Sequence, residues 1–184
     1  MTAERALVAH LLEHSVKVGA FTLKSGRSSS WFIDAKQTIC RPDGLLLVAD
    51  ALLAAIPDDT TALGGLTMGA DPVSFGVAGV AAARGRGLRA FSVRKETKGH
   101  GAGGRLAGAL EAGDRVVITE DAVTRGTSLL EAVTVVRQLG AEVVGVVAVV
   151  DRGGACAALL EPEGIPFAAL VTAPELGFAY EGAV

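Results

Sequence analysis

The sequence predicts an α/β domain, with a mostly parallel five-stranded sheet flanked by helices and a small N-terminal unit in front of it. Short apolar runs alternate with stretches of helical periodicity over most of the chain. One run, 143–150, is apolar throughout rather than alternating, as in a strand covered on both faces. At 184 residues the chain suits one domain with a sizeable core.

Residues 4–18 read as a helix with Leu7, Leu11 and Val18 on one side, closed by Gly19. Two short strands, 21–23 and 31–35, flank the polar stretch 24–30. A helix over 43–56 stops at Pro57. Strands are then expected at 62–65, 90–94, 115–119, 143–150 and 167–171, with helices at 72–84, 129–139 and 154–161 between them. Asp71 and Pro72 supply a cap and a first-turn proline, and Gly140 ends the helix before it. Strands separated by helices imply right-handed crossovers and parallel pairing. The segment 95–110 is Lys-rich, then Gly-rich, has no apolar face, and reads as a long mobile loop. The chain thus divides into an N-terminal helix and strands, about 1–40, and an α/β core, about 58–172, within one domain.

With 20 acidic and 17 basic residues the formal charge is −3, which lacks the footprint of a nucleic-acid binder. The longest apolar run, 143–150, is far shorter than the roughly 20 residues of a spanning helix. Glu4, Arg5, His10 and Glu13 leave no apolar signal-peptide core, so a soluble cytoplasmic protein is expected. Cys40 and Cys156 have neither metal-site spacing nor the density of a disulfide scaffold and read as reduced apolar filler. His10 and His14, one turn apart without a third ligand, read as helix surface or packing.

In an open parallel sheet ligands bind beyond the carboxyl ends of the strands. Four loops with polar or flexible chemistry, 66–71, 95–104, 120–128 and 151–154, follow strands and converge on that edge. In 120–128, small residues ahead of a helix leave backbone N–H groups as an anion nest, to which Thr124, Thr127 and Ser128 add hydroxyls. Glu120 and Asp121 would repel a phosphate but suit the vicinal hydroxyls of a ribose. Together they describe a ribose 5-phosphate cradle. The bland reading has Ser128 as a helix cap and the two acids in solvent. The segment lacks the glycine spacing of a Walker loop or a dinucleotide fingerprint.

The run Val116-Val117-Ile118-Thr119-Glu120-Asp121-Ala122-Val123-Thr124-Arg125-Gly126-Thr127-Ser128 resembles the phosphoribosyl-pyrophosphate (PRPP) motif of type I phosphoribosyltransferases. A second run, Arg94-Lys95-Glu96-Thr97-Lys98-Gly99-His100-Gly101, taken alone is a solvated charged loop. Beside the cradle it resembles the mobile catalytic loop of orotate phosphoribosyltransferases. The segment from Phe21 through Lys24 to Arg27, then Ser30-Trp31-Phe32-Ile33-Asp34, is similar to that family's N-terminal hood, and Val150-Asp151-Arg152 to its base-recognition end. Leu66-Thr67-Met68-Gly69-Ala70-Asp71 fits its pyrophosphate loop, or is an ordinary turn capped by Asp71. Arg125 stands where relatives usually have a small residue, no lysine occupies 66–71, and Ile33 replaces an aromatic of some members. The last dozen residues match nothing in the family pattern.

The resemblance implies a type I phosphoribosyltransferase fold and Mg²⁺-dependent transfer of ribose 5-phosphate from PRPP to orotate, a step of pyrimidine synthesis. It implies that Arg94, Lys95, Lys98 and His100 stabilise departing pyrophosphate, with Met68 and Gly69 also against PRPP and Mg²⁺ carried on it. Glu120 and Asp121 would hold the ribose hydroxyls, and Ala122, Val123, Thr124, Arg125, Gly126, Thr127 and Ser128 would wrap the 5-phosphate. Lys24, Phe32, Thr124 and Arg152 would position orotate, Arg152 through two parallel hydrogen bonds to its carboxylate. Taken alone, Arg152 reads as an ion pair with Asp151 or a surface charge. The family also implies a homodimer with shared active sites. The alternatives are a purine phosphoribosyltransferase and a PRPP-sensing regulator that binds nucleic acid, for which the chain lacks a basic face.

Overall fold

Most strands of the main sheet carry side chains that two different helical layers must cover, and this sets the architecture. The computed structural model describes residues 3–22, 26, 28–96 and 104–181. Strand β3 (Ala62–Leu66), β4 (Arg89–Val93), β5 (Leu106–Gly108), β6 (Arg115–Val123), β7 (Glu142–Asp151) and β8 (Phe167–Thr172) form one sheet in the order β5-β4-β3-β6-β7-β8. All its pairings are parallel except that of β4 with β5. Along β6, Val116 and Ile118 pack into one core and Val117 into the other. On β7, Val146 and Ala148 face one side and Val147 and Val149 the other. That two-sided burial is why 143–150 carries no polar alternation.

One layer holds α1 (Ala3–His14), α3 (Pro42–Ala55) and α4 (Ala70–Ala83), whose Leu7, Leu11, Val48, Leu52, Val73 and Val77 close over the sheet. The other holds α5 (Thr127–Gln138) and the short α6 (Cys156–Leu160), through Leu129, Val133, Val136 and Leu160. In front lies an antiparallel ribbon of β1 (Val16–Thr22) and β2 (Ser28–Ile33), followed by the one-turn helix α2 (Lys36–Ile39). Among the described residues no helix is long and apolar enough to cross a membrane.

The sheet has six strands, not five. Leu106–Gly108, expected within a loop, pairs antiparallel with β4, and three residues are too few to register as a period. The first helix ends at His14 rather than at Gly19, because Val16 and Val18 pair with Ile33 and Trp31. Asp71 is not a cap: α4 starts two residues earlier than expected, at Ala70 after Gly69, and the Asp71 carboxylate instead accepts from the Thr67 hydroxyl at 2.7 Å. Of the two cysteines only Cys156 is buried filler, its thiol pushed up to about 12 by burial and then by Asp151, whereas Cys40 is exposed. His10 packs as expected, its Nδ1 at 3.1 Å from the Thr38 hydroxyl and its ring 4.5 Å from that of His14.

Strand order fixes where a ligand goes. From β3 the chain crosses through α4 to β4 on one side; from β6 it crosses through α5 to β7 on the other. The carboxyl ends of β3 and β6 flank the switch point, where the diverging connections leave a crevice.

Candidate active site

Glu120 and Asp121 lie on β6 itself, not in the loop after it, since the pairing with β7 continues to Val123 opposite Asp151. Both carboxylates are buried. The Ser128 hydroxyl, from the first turn of α5, donates to Glu120 Oε2 at 3.0 Å, so it serves the acid pair and does not cap the helix. Burial, with the adjacent Asp121 charge adding to it, pushes the Glu120 carboxyl up to about 8. Near neutral pH Glu120 therefore holds a proton while Asp121 faces a cation.

That cation is Lys36 on α2, whose ammonium pairs with Asp121 Oδ2. Burial works against its charge, but the hydrogen bond and charge of Asp121 prevail and hold Lys36 above its ordinary value. Lys36 escaped the sequence reading because a lysine in a one-turn helix carries no motif; only the packing of α2 brings it to β6.

After β6 the chain turns through Gly126, whose φ of 77° is left-handed, into α5. The Leu129 and Leu130 amides donate to the Gly126 carbonyl at 3.0 and 3.3 Å, so the amides ahead of the helix's own ladder are those of Thr127 and Ser128, and beside them Thr124 is half-buried while Arg125 and Thr127 are exposed. Val123 contributes no side chain here, since it lies in the core; Ala122 packs partly against the opposite core. From β3, Gly69 approaches the acid pair so closely that a Cβ there would lie 1.9 Å from Glu120 Oε1 and 2.6 Å from Asp121 Oδ1. Met68 is 70 % exposed.

Arg94 and Lys95 leave the end of β4 beside this crevice. Arg94 N–H donates to the Arg105 carbonyl at 2.7 Å, and Arg105 Nε returns a bond of 2.7 Å to the Arg94 carbonyl. Arg105 also pairs with Glu131 on α5, which pins the base of the cationic segment against the cradle. Lys98 and His100 on that segment, and Lys24 of the hood, lie outside the described residues.

Arg152, just past the end of β7, is buried and does not pair with Asp151. Asp151 instead accepts from the Gly153 and Gly154 amides, at 2.9 and 3.0 Å. The Arg152 guanidinium lies 4.7 Å from the centroid of Trp31 and pairs with Glu181 near the end of the chain. The aromatic at Arg152 is thus Trp31; Phe32, next along β2, points to the opposite face and meets Phe21 at 5.7 Å. Of the residues expected to surround a base, the structure brings Thr124 and Arg152 to adjacent strand ends and turns Phe32 away.

The model of the phosphoribosyl transferase domain matches residues 60–158, which run from β3 into α6 and include Gly69, the acid pair, the Gly126 turn and Arg152, but not Lys36, Trp31 or Glu181. The chain is 40 % identical over 178 residues to the orotate phosphoribosyltransferase of Aquifex aeolicus, covering 94 % of this chain and 97 % of the relative. It superposes on the Mycobacterium tuberculosis orotate phosphoribosyltransferase in complex with Fe(III) dicitrate with a TM-score of 0.84 at 36 % identity, covering 96 % of this chain and all of that one. The same mycobacterial enzyme in complex with PRPP gives a TM-score of 0.80 at 33 % identity, with the same coverage. On these similarities the chain is a member of the orotate phosphoribosyltransferase family, with the type I phosphoribosyltransferase fold.

Proposed function

We propose that the chain transfers ribose 5-phosphate from PRPP to N1 of orotate, giving orotidine 5′-monophosphate and pyrophosphate. The observation that carries this reading is the buried Glu120–Asp121 pair, with four residues between it and the Gly126 turn and one strand away from the buried Arg152. Carboxylates to hold a diol, amides to hold a phosphate and a guanidinium to hold a planar carboxylate then lie along one edge.

In the reaction the bond from ribose C1 to pyrophosphate oxygen breaks, N1 of orotate bonds C1, and the N1 proton is lost. The transition state carries positive charge on the sugar and growing negative charge on pyrophosphate. Arg94, Lys95, Lys98 and His100 counter the second; Glu120 and Asp121 grip the ribose hydroxyls beside the first. The amides and hydroxyls from Thr124 to Ser128, with Arg125 at their rim, hold the 5-phosphate, and the Gly69 backbone meets the pyrophosphate. Thr124 and Arg152, with Lys24, position the base. Lys36 keeps Asp121 paired and aligned before substrate arrives.

Among the described residues no three His, Cys, Asp or Glu side chains converge on a metal site. The two carboxylates present, already held by Ser128 and Lys36, fit a Mg²⁺ ion that arrives on the substrate's phosphates rather than a resident one. When bound, that ion neutralises charge on the pyrophosphate. The chain acts as one domain, with about 1–40 hooding a PRPP-binding core of about 58–172, and works in the cytoplasm as a homodimer whose sites are shared.

Turnover tests the reading. Purified protein with orotate, PRPP and Mg²⁺ consumes orotate, followed by its ultraviolet absorbance, only when all three are present. Persistence of orotate under those conditions overturns the assignment.

A further inference from the structure

Residues 178–181 pack against the hood strand and the end of β7. Phe178 stacks on Trp31 with ring centroids 4.4 Å apart and planes 7° from parallel. The Tyr180 ring lies over Gly154, so close that a Cβ there would meet it at 2.9 Å. The Glu181 amide donates to the Arg152 carbonyl at 2.8 Å, and its carboxylate takes Arg152 Nη2 on one oxygen and the Ser29 hydroxyl on the other. Both side chains of the ion pair are largely buried, at 9 % and 15 % exposure. The guanidinium is nevertheless only half used on this edge, because its buried Nε has no hydrogen-bond partner among the described residues.

We infer that Glu181 is a built-in occupant of the base subsite: the segment from Phe178 to Glu181 straps Arg152 with the same chemical group, a carboxylate, that orotate brings, and a carboxylated base enters by displacing it. The inference rests on the reading of Arg152 as the orotate ligand. Exchange of one carboxylate for another leaves no buried charge unpaired at any stage, and a planar carboxylate engaging Nε and Nη2 together satisfies the donor that Glu181 leaves idle. The docked strap lowers apparent affinity by the fraction of molecules in which it is open. It also shields a buried guanidinium from other anions until a better-fitting carboxylate arrives.

The test uses two ligands that differ only in the carboxylate, orotidine and uridine 5′-monophosphates, added to the full-length protein during hydrogen exchange read by mass spectrometry. Orotidine 5′-monophosphate is expected to speed exchange across 178–181, because the Glu181 amide loses its carbonyl partner; uridine 5′-monophosphate is expected to leave it protected. In parallel, Glu181→Gln is expected to lower the KM for orotate about three- to tenfold, with the KM for PRPP as internal reference. Orotidine 5′-monophosphate that binds while 178–181 stays equally or better protected overturns the strap. So does a KM for orotate that rises in Glu181→Gln, which would make Glu181 a positioning residue. Failure of the wild-type protein to turn over orotate removes the underlying reading instead, and the strap with it.

Discussion

Glu120 is the residue whose state most depends on its surroundings. Its ordinary value of 4.5 becomes about 8 in the folded chain, so between those limits the native state keeps a proton that the unfolded state has released. Stability therefore falls as pH rises from the lower limit through the upper one. Glu120→Gln, which cannot ionise, is expected to gain on the wild type as pH increases, by a few degrees in Tm at the alkaline end. Parallel Tm curves from pH 5 to 9 would contradict the buried, protonated carboxyl. The same variant is expected to bind PRPP worse only above about pH 8, where the wild-type Glu120 becomes an anion to which the hydroxyls of a diol donate better than to an amide. At this scale the sequence singled out the acids, Ser128 and Arg152 through motifs expected to follow strands, although the acids lie within β6 and Ser128 on α5. It did not show Lys36, Trp31 or Glu181 as their partners. Those three come from a one-turn helix, a hood strand and a tail, and nothing local in a lysine, a tryptophan or a glutamate says which distant group it will meet.

The element that shapes the phosphate end is the turn from β6 into α5. Gly126 has a left-handed φ, and a Cβ there would lie 2.7 Å from Leu159 Cδ2 and 3.2 Å from Cys156 Sγ. Gly126→Ala is expected to cost about 2 kcal/mol of stability, from strain and crowding together. It is also expected to raise the KM for PRPP while leaving the KM for orotate nearly unchanged. An alanine variant as stable as the wild type would mean the turn tolerates another path. Long elements were legible where burial imposes a period: β7 and α5 fall within two residues of their expected limits. The short ones were not. Leu106–Gly108 becomes a strand only because β4 offers an edge, and 16–18 leaves the first helix only because β2 lies opposite. β6 runs on through Glu120 and Asp121 for the same reason, since its ladder with β7 outweighs the weak strand preference of two acids.

For the whole molecule, the connections diverging from β3 and β6 place the cradle, and the neighbouring ends of β4 and β7 bring the cationic segment and Arg152 to the same edge. This convergence was readable in advance, because the rule that ligands gather at the carboxyl edge of a parallel sheet needs only the strand order. A shared-site dimer makes its own prediction at this scale. Lys98→Ala and Asp121→Asn, each inactive alone, are expected to recover about a quarter of wild-type activity when mixed in equal amounts and allowed to exchange subunits, since half the dimers then carry one intact site of two. Absence of rescue, with exchange shown by mass, would place each site within one chain.

If Arg152 selects a carboxylated base above a PRPP cradle, a panel of acceptors will show it. With PRPP and Mg²⁺ fixed, kcat/KM is measured for orotate, uracil, hypoxanthine and adenine in the wild type and in Arg152→Ala. Two charge-assisted hydrogen bonds predict that the wild type prefers orotate to uracil by about a hundredfold or more, and that the preference collapses in the variant. A wild type that prefers a purine, or a preference for orotate that survives the loss of Arg152, would contradict the account.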